Sequence, residues 1–197
     1  GGRGHVPAGG LRRLKMADIW NRMIRAAKLD VNLYEEVEAD KNATGQATMV
    51  VVLSSIAAGV GSMMIKGGIG IILFGTIAAL ISWYIWAFLT YLIGTKLLPE
   101  PQTKADVGQL LRTIGFSTSP GLIRVFGFIP GLKGLVFLIA SVWMLAAMVI
   151  AVRQALDYKS TGRAIGVCVI GWFIQLLVFG LLIFLLGGGT CPLTPRA

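Results

Sequence analysis

The stretch AIGVCVIGWFIQLLVFGLLIFLL, residues 164 to 186, holds no charged residue. It is long enough to cross a hydrocarbon core as a helix, which takes about 20 apolar residues. Its apolar residues run on without the period-2 alternation of a barrel strand, so the span reads as helical. Working outward, the same silence recurs: residues 42 to 95 contain one charge, Lys66, and residues 134 to 152 contain none. Of the 197 residues 55% are apolar and 14% charged, and the mean hydropathy is +0.77, which excludes a soluble domain with a charged surface. The formal charge of +9 does not point to nucleic acid, because Lys and Arg sit at the N-terminus and in short gaps between apolar blocks.

These blocks predict an all-α membrane protein with an N-terminal amphipathic cytoplasmic helix and five transmembrane helices, at roughly 44 to 65, 69 to 94, 107 to 130, 134 to 152 and 164 to 186, the third of them broken. Positively charged loops stay on the cytoplasmic side. With the N-terminus inside, 14 of the 18 Lys and Arg fall inside, leaving Lys66, Arg124, Lys133 and Arg196 outside. The predicted C-terminus is therefore external, with residues 187 to 197 a short outer tail. Residues 1 to 15 are Gly-rich, basic and aperiodic, and read as disordered or as a non-native extension before Met16.

Residues 16 to 43 form the predicted cytoplasmic segment. Within it, Trp20, Met23, Ile24 and Ala27 fall at i, i+3, i+4 and i+7, with Arg22, Arg25 and Lys28 elsewhere on the wheel, the pattern of an amphipathic helix. Such a helix either docks on anionic lipid headgroups or packs on its own bundle. Tyr34 then leads an acidic turn of Glu35, Glu36, Glu38 and Asp40 into the first span. Four carboxylates in six residues suit a basic partner, or form a solvated helix face balancing nearby Arg and Lys. Their spacing matches no EF-hand loop, so no metal site is expected.

The segment LDVNLYEEVEADKNATGQA (29 to 47), the later GFSTSPGLIRVFGFIPGL (115 to 132) and five spans with an internal N-terminus together resemble the prokaryotic branch of the Yip domain family. The resemblance covers roughly residues 20 to 186. It implies a multi-pass protein, here of a prokaryotic plasma membrane, with a five-span domain over residues 44 to 186. Eukaryotic members are associated with Rab-type GTPases and early secretory traffic and carry an acidic-Tyr-Gly-Pro motif. This chain has Leu33-Tyr34-Glu35 with no Gly-Pro following.

Catalytic chemistry finds little footing. The one histidine is His5, no carboxylate lies inside a span, and no G-x-x-x-x-G-K-[ST] occurs, so no catalytic residue, cofactor or metal ligand is assigned. Cys168 and Cys191 are predicted at opposite ends of the last span, about 34 Å apart at 1.5 Å per residue, which excludes a disulfide between them.

The third span is unusual. Its apolar residues contribute about −0.3 to −0.6 kcal/mol each, and Arg112 and Arg124 oppose them by about 2.5 to 3.5 kcal/mol each if central, so insertion is near balance. The segment must lean on its neighbours, snorkel its arginines to the two surfaces, or break around Ser117 to Gly121. At a break before Pro120, freed carbonyls could be met by Ser117, Thr118 or Ser119. Arg112, Arg124, Ser117 and Pro120 are accordingly the candidate lipid or anion contacts.

The predicted function is a non-enzymatic scaffold or adaptor using residues 16 to 43, with Trp20, Arg22, Arg25, Tyr34, Glu35, Glu36, Glu38 and Asp40 as candidate partner contacts. The alternative is a transporter or lipid-handling protein centred on the third span. Expected partners are anionic lipid headgroups and a protein at the N-terminal segment. Small residues at Ser55-x3-Gly59, Ala57-x3-Gly61, Gly75-x3-Ala79 and Gly162-x3-Gly166 permit close helix packing within one chain or between copies.

Overall fold

Among the described residues, 8–62 and 68–187 of a computed structural model, every regular element is helical. The order is α1 (Ala8–Ala27), α2 (Val31–Ala39), α3 (Ala43–Ser62), α4 (Gly68–Leu92) continued by a π turn (Ile93–Leu97), α5 (Val107–Ser117), a 3-10 helix (Ser119–Phe128), α6 (Lys133–Ala155) and α7 (Thr161–Gly187). Four stretches are long and apolar enough to cross a membrane: Ala43–Ser62, Ile69–Leu97, Lys133–Ala155 and Thr161–Val178. The predicted 107 to 130 span is not one continuous helix, since α5 ends at Ser117 and the chain resumes as 3-10 helix.

That break has a local cause. Pro120 has no N–H to offer the Phe116 carbonyl, and the Ser119 hydroxyl donates to that carbonyl instead at 2.7 Å. Ser117 Oγ donates to Ile114 O at 2.7 Å and Thr118 Oγ1 to Gly115 O at 2.8 Å, so three successive hydroxyls serve the end of α5.

α5 and the 3-10 helix run parallel to α3 along its whole length. Gly115 meets Ala47, Gly121 meets Ser54, and Gly61 meets Arg124 and Gly127. A Cβ on Gly61 would stand 1.9 Å from the Arg124 carbonyl oxygen, so only glycine allows this approach. α6 runs the opposite way, Met144 reaching Gly121 and Phe137 reaching Gly61 and Gly127. α4 is also antiparallel to α3, joined by the Ser55 and Thr76 hydroxyls at 3.3 Å and by Ile72 against Gly59. Outward-facing Phe74, Ile77, Leu138, Val142, Trp172 and Phe173 are exposed, an apolar surface of the kind that lipid covers.

Two turns end their helices with a non-glycine residue in the left-handed region: Leu29 (φ 62) after α1 and Asp157 (φ 54) after α6. Each is closed by a long backbone bond, Asp30 N to Arg25 O at 3.1 Å and Tyr158 N to Arg153 O at 2.9 Å.

α1 begins at Ala8, inside the stretch expected to be loose, because Leu11, Arg12, Arg13, Leu14, Lys15 and Met16 are strong helix formers that outlast Gly9 and Gly10. Residues 1–7 of that stretch lie outside the described residues, as do most of the outer tail and Cys191. The face of α1 that packs is also rotated from the expected stripe. Ile19, Met23 and Ala26 are buried against α2, α3 and Phe116, whereas Trp20 and Ile24 are exposed.

Candidate functional site at the charged end

The carboxylates of α2 stand between the arginines of α1 and the loops that flank α5 and α6. On one side Arg22 gathers Glu36 of α2 at 2.9 Å, the C-cap Asp40 at 3.0 Å and Asp18 of its own helix at 3.6 Å, with Gln46 accepting at 2.8 Å. Arg25 pairs with Asp30 at 2.8 Å and Glu36 at 2.6 Å. The Arg25 bond holds Asp30 below its ordinary value, and Asp40 is lowered by Arg22 against the opposing effect of burial. Arg22, Arg25, Glu36 and Asp40 thus face one another. Tyr34, expected at a contact surface, is fully buried between α1, α3 and α6 with its hydroxyl 3.4 Å from Ala26 O, and burial raises its pKa.

Arg112 is buried too. Its Nε donates to Val37 O at 2.9 Å and its Nη2 to Glu38 O, capping the last turn of α2. A cation at a helix C-terminus meets both the free carbonyls and the negative end of the dipole. α5 places it there through a capping box at its own start, with Asp106 accepting from Gln109 N at 2.8 Å and Gln109 Oε1 accepting from Asp106 N at 2.6 Å.

The other side of α2 opens on a cavity of about 550 Å³ lined by Glu35, Glu38, Ala39, Gln109, Arg153, Gln154, Asp157, Tyr158 and Lys159. Glu38 accepts from Gln109 Nε2 at 3.0 Å and Glu35 from Gln154 Nε2 at 2.9 Å. Burial, reinforced by the Asp157 charge, pushes Glu38 up to about 7. Arg153 is turned to its own helix end, donating to Tyr158 O and Lys159 O. Among the described residues no group of three or more His, Cys, Asp or Glu is placed to hold a metal ion.

Tyr158 ties the turn before α7 to the end of α4. The π turn leaves the Gly94 carbonyl facing Pro99, which has no N–H to give it. Tyr158 Oη takes up the vacancy, 2.9 Å from Gly94 O and 2.7 Å from Leu98 O, and burial pushes the phenol up to about 12.

Arg124 lies at the opposite end, beside Gly61, with its guanidinium over the Phe137 ring at 5.7 Å. The break at Pro120 therefore does not bring Arg112 and Arg124 into one site. Sequence reasoning selected Glu35 and Glu38 but missed Gln109, Arg153, Gln154, Asp157, Tyr158 and Lys159. The available signal was the polar run Asp157 to Ser160 between two apolar blocks.

A family model described as the Yip1 domain matches residues 33–183, a range that holds most of α2 and most of α7. No curated protein and no solved structure matches the chain.

Proposed function

The chain belongs to the Yip1 domain family of membrane proteins, and from that premise we propose that it is a non-enzymatic adaptor of a prokaryotic plasma membrane. Its charged end faces the cytoplasm and receives a basic segment of a protein partner. The observation that carries this reading is the cavity beside α2, where Glu35, Glu38 and Asp157 gather, Lys159 lies on the wall and Arg153 is turned to its own helix end. Glu36 and the C-cap Asp40, paired with Arg22 and Arg25, fix the helix, while Glu35 and Glu38 accept only from the neutral amides of Gln154 and Gln109 and line the cavity.

Five crossings fit this reading. The broken third segment has 11 residues of α-helix and 10 of 3-10 helix, about 36 Å at 1.5 and 2.0 Å per residue, and it keeps pace with α3 from Ala47 to Gly61. α1 lies along the cytoplasmic part of the bundle with Trp20 and Ile24 turned to lipid. The transporter alternative loses its paired arginines, because Arg112 is bound to α2, and only the lipid contact of Arg124 stays open.

Site-specific photocrosslinking tests the adaptor. A crosslinker at Lys159 or Gln154 is expected to yield protein adducts in native membranes, lost with Glu35→Gln and Glu38→Gln together, while one at Leu138 yields none. Equal adducts with and without the two carboxylates would remove the cavity from partner binding.

A further inference from the structure

At the charged end each arginine whose side chain is described meets a protein acceptor: Arg22 and Arg25 carboxylates, Arg112 and Arg153 carbonyls, Arg163 both Glu100 and the Pro99 carbonyl. Arg124 differs. Its Nε is buried with no hydrogen-bond partner among the described residues, one face of the guanidinium lies over Phe137, and the side chain as a whole is half-buried. The acidic side chains of the sequence gather at the charged end, around Arg22, Arg25, Arg163 and the cavity beside α2.

The surroundings add positive charge and no negative. Phe137 lies in the second turn of α6, whose first residue is Lys133 and whose N-terminus has no side-chain cap and no acid in its first turn. A half-desolvated guanidinium needs an acceptor or it costs stability, and a phosphate offers its planar edge two oxygens at once.

We propose that Arg124, with Lys133 and the N-terminus of α6, binds the phosphate of an anionic phospholipid in the leaflet opposite the charged end. Phe137 supports the guanidinium, and the exposed Phe126 and Phe128 of the 3-10 helix accompany the acyl chains. This inference rests on the membrane-spanning reading, but the two fail separately: the crossings can be correct while Arg124 holds nothing.

The test is retention of phosphatidylglycerol by the purified full chain in phosphatidylcholine nanodiscs doped with it, read by native mass spectrometry after release. Wild type is expected to keep phosphatidylglycerol. Arg124→Gln should lower the retained fraction on the order of tenfold, and Lys104→Gln at the other end should leave it unchanged. Arg124→Lys keeps the charge without the planar fork and should fall in between, which decides the matter if Arg124→Gln does not fold. Retention equal to wild type in Arg124→Lys and in any folded Arg124→Gln would overturn the proposal. So would displacement of the lipid by millimolar inorganic phosphate, which would make the ligand a free anion.

Discussion

Single residues in this bundle are placed by the backbone groups they satisfy. The hydroxyls of Ser117, Thr118 and Ser119 could be foreseen, because Pro120 removes a donor at a fixed offset and the bond that replaces it is local. Arg112 could not. Its acceptors Val37 and Glu38 lie more than 70 residues away, and a sequence pattern holds no information about that distance. Tyr158 is the same kind of case, its carbonyl partners exposed by a π turn that periodicity does not reveal. Replacing Tyr158 by Phe keeps the ring and removes the one hydroxyl proton shared by the buried Gly94 carbonyl and the half-buried Leu98 carbonyl, so we expect a loss of roughly 1–3 kcal/mol, read as a lower Tm in detergent. An unchanged Tm would mean that water reaches both carbonyls.

Among elements, α2 is where chemistry and packing meet. Leu33, Tyr34 and Val37 hold it to the bundle, while Glu38 is pressed among Glu35, Asp106 and Asp157, with Arg112 as the attracting charge, Gln109 as donor, and Arg153 and Lys159 on the cavity wall. The docked state raises Glu38 from 4.5 to about 7, so it favours the protonated carboxyl. Glu38 therefore supports docking fully below about 4.5 and progressively less as the pH climbs to about 7, with no further change above. Asp30 and Asp40 act with the opposite sign. Their pairs with Arg25 and Arg22 are complete above 3.8 and fail as the pH drops through their lowered values. Spin labels at Asn32 and Lys104 should report a tighter α2 at pH 5 than at pH 8, and Glu38→Gln should abolish the difference. A pH response that survives Glu38→Gln would assign it to another group.

α1 shows how far a helical wheel can be trusted. The expected apolar stripe was Trp20, Met23, Ile24 and Ala27, and the face that packs lies about one position away, at Ile19, Met23 and Ala26. Arg22 must reach Glu36, Asp40 and Gln46 on the adjoining helices, and that long-range demand turns Ile19, Met23 and Ala26 inward.

In the whole molecule, membrane-length apolar runs were the readable part. Expected spans at 44 to 65, 69 to 94, 134 to 152 and 164 to 186 correspond to helices Ala43–Ser62, Ile69–Leu97, Lys133–Ala155 and Thr161–Gly187. What stayed hidden was assembly: a cavity drawn from residues 35 to 159, and the seat of Arg112 on the last turn of α2. The adaptor reading depends on that segment crossing completely, since only an odd number of crossings sets α2 and the C-terminus of α7 on opposite sides. Cysteine labelling with a membrane-impermeant maleimide measures this directly, in a chain with Cys168→Ala and Cys191→Ser and one new cysteine at either Gln102 or the exposed Leu132. The account predicts that Gln102→Cys reacts only after the cytoplasmic side is opened and that Leu132→Cys reacts in intact cells; labelling of both from the same side would contradict it.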